Sequence, residues 1–578
     1  MTQDWKSGEL TLFDHVKRLA MASVATLAIL GADVAAAKGV SGPYLAGRKA
    51  MAENDFQAAA QYFTRAMTQD LGNIEIMESA VLAYIGTGDF ARALAVARRL
   101  VSKDEANNLG LITLFTDAIQ KENWDRAEQI IAGGGAAGPL IDGLASAWIA
   151  VGRGDMTTAL QRFEDLTNTE GLAGFGLFHT SLALALAGDM ERAEALLDDQ
   201  AGLGLVQTKH TMLARAEVLV QLGQTDRAIA VLDSYLVQDA APDVAHLRAR
   251  IAAGETPAFS FVTSATEGVA EAFYGVGRAL AGETDDVYTL VYSRIAQHLA
   301  PTKADPALLV AAILDDLDRH DLAVESFDAI SSDDPLFRIA QLGRAAALDA
   351  DGRTGQAIEI LRALVGEYPE LTDAHVDLGD MLRGEEQFAD AKAAYSAAIS
   401  LMAEDEQNLW FVHFMRGIAN DKLKDWPSAE ADFRRALVLR PEQPQVLNYI
   451  GYSFVEMQTN LDEALEMIER AVEQRPDSGY ITDSLGWVLY RLGRYDEAVG
   501  WMEKAAELLP VDPTINDHLG DVFWAVGRER EARFQWNRAM SFEPEEKDAD
   551  RIRRKLEVGL DVVLSEEGAA PLNRQNDG

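Results

Sequence analysis

Apolar and small residues in the last third of the chain recur first at helical spacing and then again at a longer, nearly constant interval. Between residues 513 and 544, Leu519 and Phe523 stand one turn apart, and Ala532, Trp536 and Ala539 follow at steps of four and three, with polar residues such as Asp517, Asp521, Glu529 and Arg533 among them. That spacing predicts two amphipathic helices. The first carries Asn516, Leu519, Gly520 and Phe523, the second Ala532, Trp536 and Ala539, and Gly527 marks the turn between them. The pair then repeats. Ala429, Ala464, Ala498 and Ala532 are each followed 12 residues on by Pro441, Pro476, Pro510 and Pro544. Small residues such as Gly520, Ala532 and Ala539 let two helices cross closely, and a proline, lacking an amide hydrogen and disfavouring helical geometry before it, stops each second helix in register.

A period of about 34 residues outranks the other signals, because a single hairpin buries its apolar side only against neighbouring hairpins. In the same frame, units open near Gly479, Pro444, Trp410, Thr372, Arg338, Ala304 and Ala270. In the N-terminal half, Ala59, Ala93, Ala127, Ala159, Ala193 and Ala228 fall 32 to 35 residues apart at the small position of the second helix. About fourteen units result. A chain of 578 residues would ordinarily suggest several domains, but an array grows along one axis, so one long all-α solenoid is expected. Its period breaks at residues 254–269, where glycine, proline and β-branched residues predict an irregular linker between an N-terminal array (38–253) and a C-terminal array (270–544). The unit after the break has Thr289 and Ser293 where alanine and a large apolar residue are expected, which predicts poorer packing and a hinge. After Pro544, residues 545–564 place Ile552, Leu556 and Leu560 on one face and Arg551, Arg553, Arg554 and Lys555 elsewhere, as a terminal capping helix requires; 565–578 has no apolar period and reads as a disordered tail.

Leu485, Gly486, Gly493, Tyr495, Ala498, Ala505 and Pro510 occupy signature positions of a known unit, and on them the array resembles the tetratricopeptide repeat (TPR) family. The resemblance implies a right-handed superhelix of helix-turn-helix repeats that binds proteins or peptides. It also implies that the first helix of each unit lines the inner groove, with its positions 2, 5, 9 and 12 pointing inward. For the last units those positions are Asn448 and Tyr452, then Tyr480, Asp483, Trp487 and Tyr490, then Asp517, Asp521 and Trp524, an aromatic and acidic partner-binding groove. The competing reading is that Trp487 and Trp524 wedge between adjacent units. The family's lysine-asparagine clamp for a C-terminal carboxylate does not carry over, since Asp483 and Asp517 stand where lysine would be needed.

Residues 1–37 lie outside the repeats. Lys17 and Arg18, an apolar run over 19–32 and Ala35, Ala36 and Ala37 have the order of a secretory signal with a small-residue cleavage site, so the chain is expected to be exported to a periplasm. An uncleaved signal anchor is the alternative, although the run is shorter than the roughly 20 apolar residues a spanning helix needs. Without cysteine there is no disulfide, no thiolate metal site and no lipid anchor. A net charge of −40 disfavours nucleic acid and anionic lipid.

Nothing in the sequence assembles a catalytic, cofactor or metal site. The nine histidines are scattered, and Gly133, Gly134 and Gly135 lack the lysine and preceding strand of a phosphate loop, so a turn between units is expected there. Tyr449 to Tyr452, Asp483 to Arg491 and His518 to Trp524 make the last units similar to long TPR proteins of Gram-negative cell envelopes, among them adaptors that bind carboxy-terminal processing proteases. That similarity implies a non-catalytic scaffold that brings envelope proteins together, including a protease and its substrate. The other class is a membrane-held structural or assembly component of an envelope polysaccharide or secretion machine.

Overall fold

The computed structural model describes residues 40–198, 205, 207–237, 241–284 and 286–572. The expected signal segment lies outside them, as does the end of the tail from residue 573. Among the described residues there are helices and no strands: fourteen antiparallel pairs, a lone helix Pro242–Ala252, and two short helices at the C-terminal end. None of these helices is long and apolar enough to cross a membrane. The alanines that set the register, Ala59, Ala93, Ala127, Ala159, Ala193 and Ala228 in one half and Ala429, Ala464, Ala498 and Ala532 in the other, are all completely buried. Their partners are glycines: a Cβ built on Gly520 would lie 2.4 Å from the Trp536 ring, and one on Gly486 2.3 Å from Met502 Sδ. Each large side chain of a second helix fits where the first helix has none.

The molecule divides into two compact units, one up to Ala347 and one from Leu348. The break foreseen at 254–269 therefore falls inside the first unit. Only 254–264 are irregular, because Ser264 caps a helix that already begins at Ala265, its side chain accepting from the Glu267 amide.

The first unit also departs from a single continuous solenoid. Six pairs run from Ser41 to Leu236 and end in the lone helix, whose Val244, Leu247 and Ile251 close a small separate core. The chain then turns back. The pair Ala265–Leu280 and Asp286–Leu299 lies against Ile74–Gly86, Asn108–Gln120, Pro139–Gly152 and Ala173–Leu186, the first helices of four earlier pairs. Val269, Phe273, Ile295 and Leu299 join the same core as Phe115, Trp148 and Phe178. Arg294 donates to the Gly86 carbonyl (3.1 Å), Phe90 stacks on His298 with centroids 4.1 Å apart, and Gly268 lets the helix approach the face of Trp148. Thr289 and Ser293 are consequently buried, and the foreseen hinge is a packed element that fills the inner face of the first run. From it the array resumes at Ala304–Asp316.

The second unit carries regular pairs up to Glu529–Met540 and then the cap. The predicted single capping helix is two, Glu546–Val558 and Leu560–Glu566, because Gly559 takes a φ of 83° that breaks the first and starts the second. The second helix runs past residue 564 into the segment read as a disordered tail, and Arg551 and Arg554 hold it through Glu567 and Glu566.

In the Thr372–Gly384 helix, Asp373, Asp377 and Asp380 share a face, with Arg383 beside Asp380 and the Tyr395 hydroxyl donating to Asp380 (2.7 Å). Burial, then Asp380 and Asp373, push the Asp377 carboxyl up to about 7. A carboxyl raised in the folded state supports stability below its unfolded value near 4, and that support is lost as pH rises to about 7. The Asp377→Asn variant is therefore expected to melt higher than the parent at pH 8 and much like it at pH 4.5. Equal melting differences at the two pH values, read by circular dichroism, would sink this assignment.

Candidate functional site

The last three full pairs, from Pro444–Glu456 to Glu529–Met540, bring the nine expected groove residues onto consecutive first helices. Pro444 and Pro513 open two of these helices at positions where a missing amide hydrogen costs nothing, and the Asp512 carboxylate also caps the one begun by Pro513, accepting from the Ile515 amide (2.9 Å). Consecutive first helices are tied by one recurring device: an acid on one unit accepts a hydrogen bond from the next. Tyr449 donates to Asp421 (3.0 Å), the Trp487 indole to Glu456 (3.0 Å) and His518 Nδ1 to Asp483 (3.1 Å to each oxygen).

Five of the nine residues are buried in this ladder, and of these Asp483 alone keeps an edge on an open pocket. Trp487 is 6% exposed and lies between two flat neighbours, Tyr490 (centroids 4.8 Å, 10°) and His518 (3.9 Å, 10°). Tyr490 and Asp483 are buried with it. Trp524 packs on Trp536 and donates to Asp561 (2.9 Å) in the last helix, and Asp521 is buried beneath the cap. Rings of this size close the space between adjacent units, and Trp487 and Trp524 stand as wedges there.

The cap supplies a lysine that sequence patterning left on the polar side. Lys555 is completely buried, its ammonium donating to both oxygens of Asp517 (2.8 Å) and of Asp521 (2.7 and 2.8 Å). Arg551 stands 3.4 Å from Asp521, whose other oxygen accepts from the Trp536 indole (2.9 Å). Burial raises the Asp517 carboxyl, and although Lys555 pulls it back, Asp521 adds to the rise and leaves it above the usual carboxylate range. For His518 burial acts against the charged ring, but Asp483, then Asp517 and Asp521, outweigh it and raise its pKa. The surrounding acids thus favour the charged form of the ring.

What remains open is a pocket of about 230 Å³ upstream of the cap, lined by Asn448, Tyr452, Tyr480, Asp483, Ser484, Asp512, Thr514 and Ile515. Four of the nine expected residues meet there: Asn448, Tyr452, Tyr480 and an edge of Asp483. Tyr480 is 46% exposed, and Asn448 Oδ1 is buried without a hydrogen-bond partner. Burial, then Glu456, Asp483 and Asp548, raise the Tyr452 hydroxyl's pKa, so it remains a neutral donor.

A second polar cluster escaped the sequence reading. In the first unit His210 Nδ1 lies 2.7 Å from Glu271 and its ring stacks on Tyr274 (4.6 Å), while Lys209 reaches Asp243 (2.9 Å) and Asp305 (2.5 Å). Burial opposes the His210 charge, but Glu271 and Asp305 prevail and raise it to about 9. These residues tie the end of the first run to the returning pair. Lys209 and Asp305 are 96 positions apart, and no local spacing links them. The glycine-rich stretch at 133–135 is the expected turn: its following amides, Ala136 and Ala137, donate to Asp142 (3.1 and 3.0 Å). Among the described residues no group of three or more His, Cys, Asp or Glu side chains could hold a metal ion.

The sequence model of the tetratricopeptide repeat matches residues 44–108, 312–372 and 450–513, so segments similar to it stand in both halves of the chain. A TPR repeat-containing protein of Pseudomonas aeruginosa is 28% identical over 159 residues, which are 27% of this chain and 26% of that protein. The chain thus spans about a quarter of the length of that relative. Among solved structures, the Cut9–Hcn1 hetero-tetramer of the APC/C is similar with a TM-score of 0.37 and 14% identity, over 90% of this chain and 96% of that one. A TPR protein from Parabacteroides merdae gives 0.37 and 13% over 44% and 98%, and YrrB gives 0.27 and 18% over 34% and 97%.

Proposed function

We propose that this chain is a non-catalytic scaffold of the bacterial cell envelope whose C-terminal array holds a segment of a partner protein, and that an envelope protease and its substrate are among the proteins it brings together. The observation that carries the reading is the pocket between three consecutive first helices, where Asn448, Tyr452 and Tyr480 stand together on the inner face and the packed ladder behind them fixes their positions. Tyrosines give contact area at a low cost in ordering, and a rigid wall loses little entropy when a segment docks. The contrast with the first unit supports the choice of array: there the equivalent inner face is already filled by Ala265–Leu280 and Asp286–Leu299.

The test is affinity capture from envelope extracts with the parent and with Tyr480→Ala. Partner capture is expected to weaken by about 1 to 3 kcal/mol, roughly 5- to 150-fold, with an unchanged melting temperature, because the ring is a surface anchor. Capture that is indifferent to Tyr480→Ala and to Tyr452→Ala would move the partner to another surface. The same extracts test export: native protein beginning within a few residues of Lys38 agrees with it, and bulk protein beginning at Met1 or Thr2 does not.

A further inference from the structure

The pocket between the last three first helices has a chemistry that is visible one unit further along. Asp483 and Asp517 occupy the same position of successive first helices, 34 residues apart. At the later position the chain fills the site itself, with the Lys555 ammonium 2.8 Å from both Asp517 oxygens, 2.7 Å from Asp521 and 5.8 Å from the Trp536 ring centroid. A buried lysine is thus the group that this inner surface is shaped to take. At the earlier position Lys555 does not reach: His518 takes one side of Asp483, and an open pocket adjoins the same residue.

We propose that this pocket receives a lysine or arginine side chain from an extended segment of a partner protein. The inference rests on the scaffold reading above and names the chemistry of what docks. Asp483 and Asp512 line the pocket, and Glu456, Asp548 and, with opposite sign, Arg491 act on its Tyr452 hydroxyl, while His518 contacts Asp483. The balance is negative. His518 brings one N–H to Asp483, centred between its two oxygens, whereas a carboxylate offers about four acceptor positions, so capacity remains on the pocket side. Asn448 Oδ1 adds a buried acceptor with no donor, a group whose desolvation is repaid when an N–H arrives. Tyr452 and Tyr480 line the same pocket as these acids, and aromatic rings beside carboxylates favour a cation over an uncharged group. An acidic segment would meet like charge at Asp483 and Asp512.

Selection of a phage-displayed random 12-residue peptide library against the full chain, followed by titration of the selected peptides, tests this. Selected peptides are expected to share a lysine or arginine, to weaken at least tenfold when that residue is changed to glutamine, and to weaken similarly on Asp483→Asn. Because Asp483→Asn also loosens His518, Thr514→Lys serves as a second variant: it adds a competing charge at an exposed rim position, and is expected to lower affinity as much with no change in melting. Peptides that lose binding on Tyr480→Ala but carry no cation would overturn the charge class while leaving the groove in place. A selection in which no peptide responds to Tyr480→Ala, Asp483→Asn or Thr514→Lys would overturn the groove itself.

Discussion

Replacing Lys555 by methionine is expected to destabilise the C-terminal unit by about 3 to 5 kcal/mol, the usual cost of stranding a buried charge. Methionine keeps most of the volume, so the loss is electrostatic. The ammonium is completely enclosed and is the only group at 2.7 to 2.8 Å from both Asp517 and Asp521; without it Asp521 keeps the Trp536 indole and a distant Arg551, and Asp517 keeps less. Two carboxylates that close cannot both stay ionised in a dry site, and one must hold a proton. That fixes the sign of the pH effect. A carboxyl whose folded pKa rises loses its contribution as pH increases through that value, so the deficit of Lys555→Met relative to the parent should be larger at pH 8 than at pH 5. The companion variant Lys555→Met with Asp517→Asn should recover part of the loss, since it removes one of the two stranded charges. Chemical denaturation of the full chain at the two pH values reads all three. A Lys555→Met protein within 1 kcal/mol of the parent at both would mean that the lysine is solvated and that the cap does not lock onto Asp517 and Asp521.

The cap shows how far the sequence carries. Ile552 and Leu560 were legible as its buried face, because helical spacing reports which side of a helix is apolar. Lys555 was not, because spacing counts any lysine as polar, and the two acids that bury it lie 34 and 38 residues earlier on a different helix. The same limit applies to the first unit. Small-residue register and, where present, a proline stop describe a hairpin and its contact with the next; the pair Ala265–Leu280 and Asp286–Leu299 keeps the stop at Pro301 but has Thr289 in the alanine position. Whether a hairpin continues the array or folds back against Trp148 and Phe178 depends on what happens over 254–264, where Glu217 accepts from the Ser260 and Phe261 amides (2.7 and 2.9 Å) across more than 40 residues. Thr289 and Ser293 did mark this pair as unusual, and the unusual feature is the close packing of Gly277 against Ser293, not looseness. For the candidate groove, the position rule says nothing of how deeply a side chain is covered, and packing decides that: Tyr480 protrudes, while Trp487 reaches both neighbouring units.

Trp487→Ala is accordingly expected to cost about 3 to 5 kcal/mol, against a change within about 0.5 kcal/mol for Tyr480→Ala. The indole is covered on one face by His518 at 3.9 Å and touches Tyr490 at 4.8 Å, and truncation would leave a cavity between two units, with Glu456 losing its N–H donor at 3.0 Å. Repeat arrays transmit such a loss along their axis, because each unit is stable only through the interface with its neighbours. Trp487→Phe separates the two contributions. It keeps a flat ring against His518 but removes the donor to Glu456, so a loss of about 1 kcal/mol is expected, the worth of one hydrogen bond to a charged acceptor that retains access to water. Differential scanning calorimetry of the three variants decides between packing and binding roles. If Trp487→Ala melted like the parent while weakening partner capture, the indole would belong to an open groove and not to the interface; a large fall in melting temperature with Tyr480→Ala at parental stability would assign the two aromatics, seven residues apart on one helix, to the wall and to the binding surface respectively.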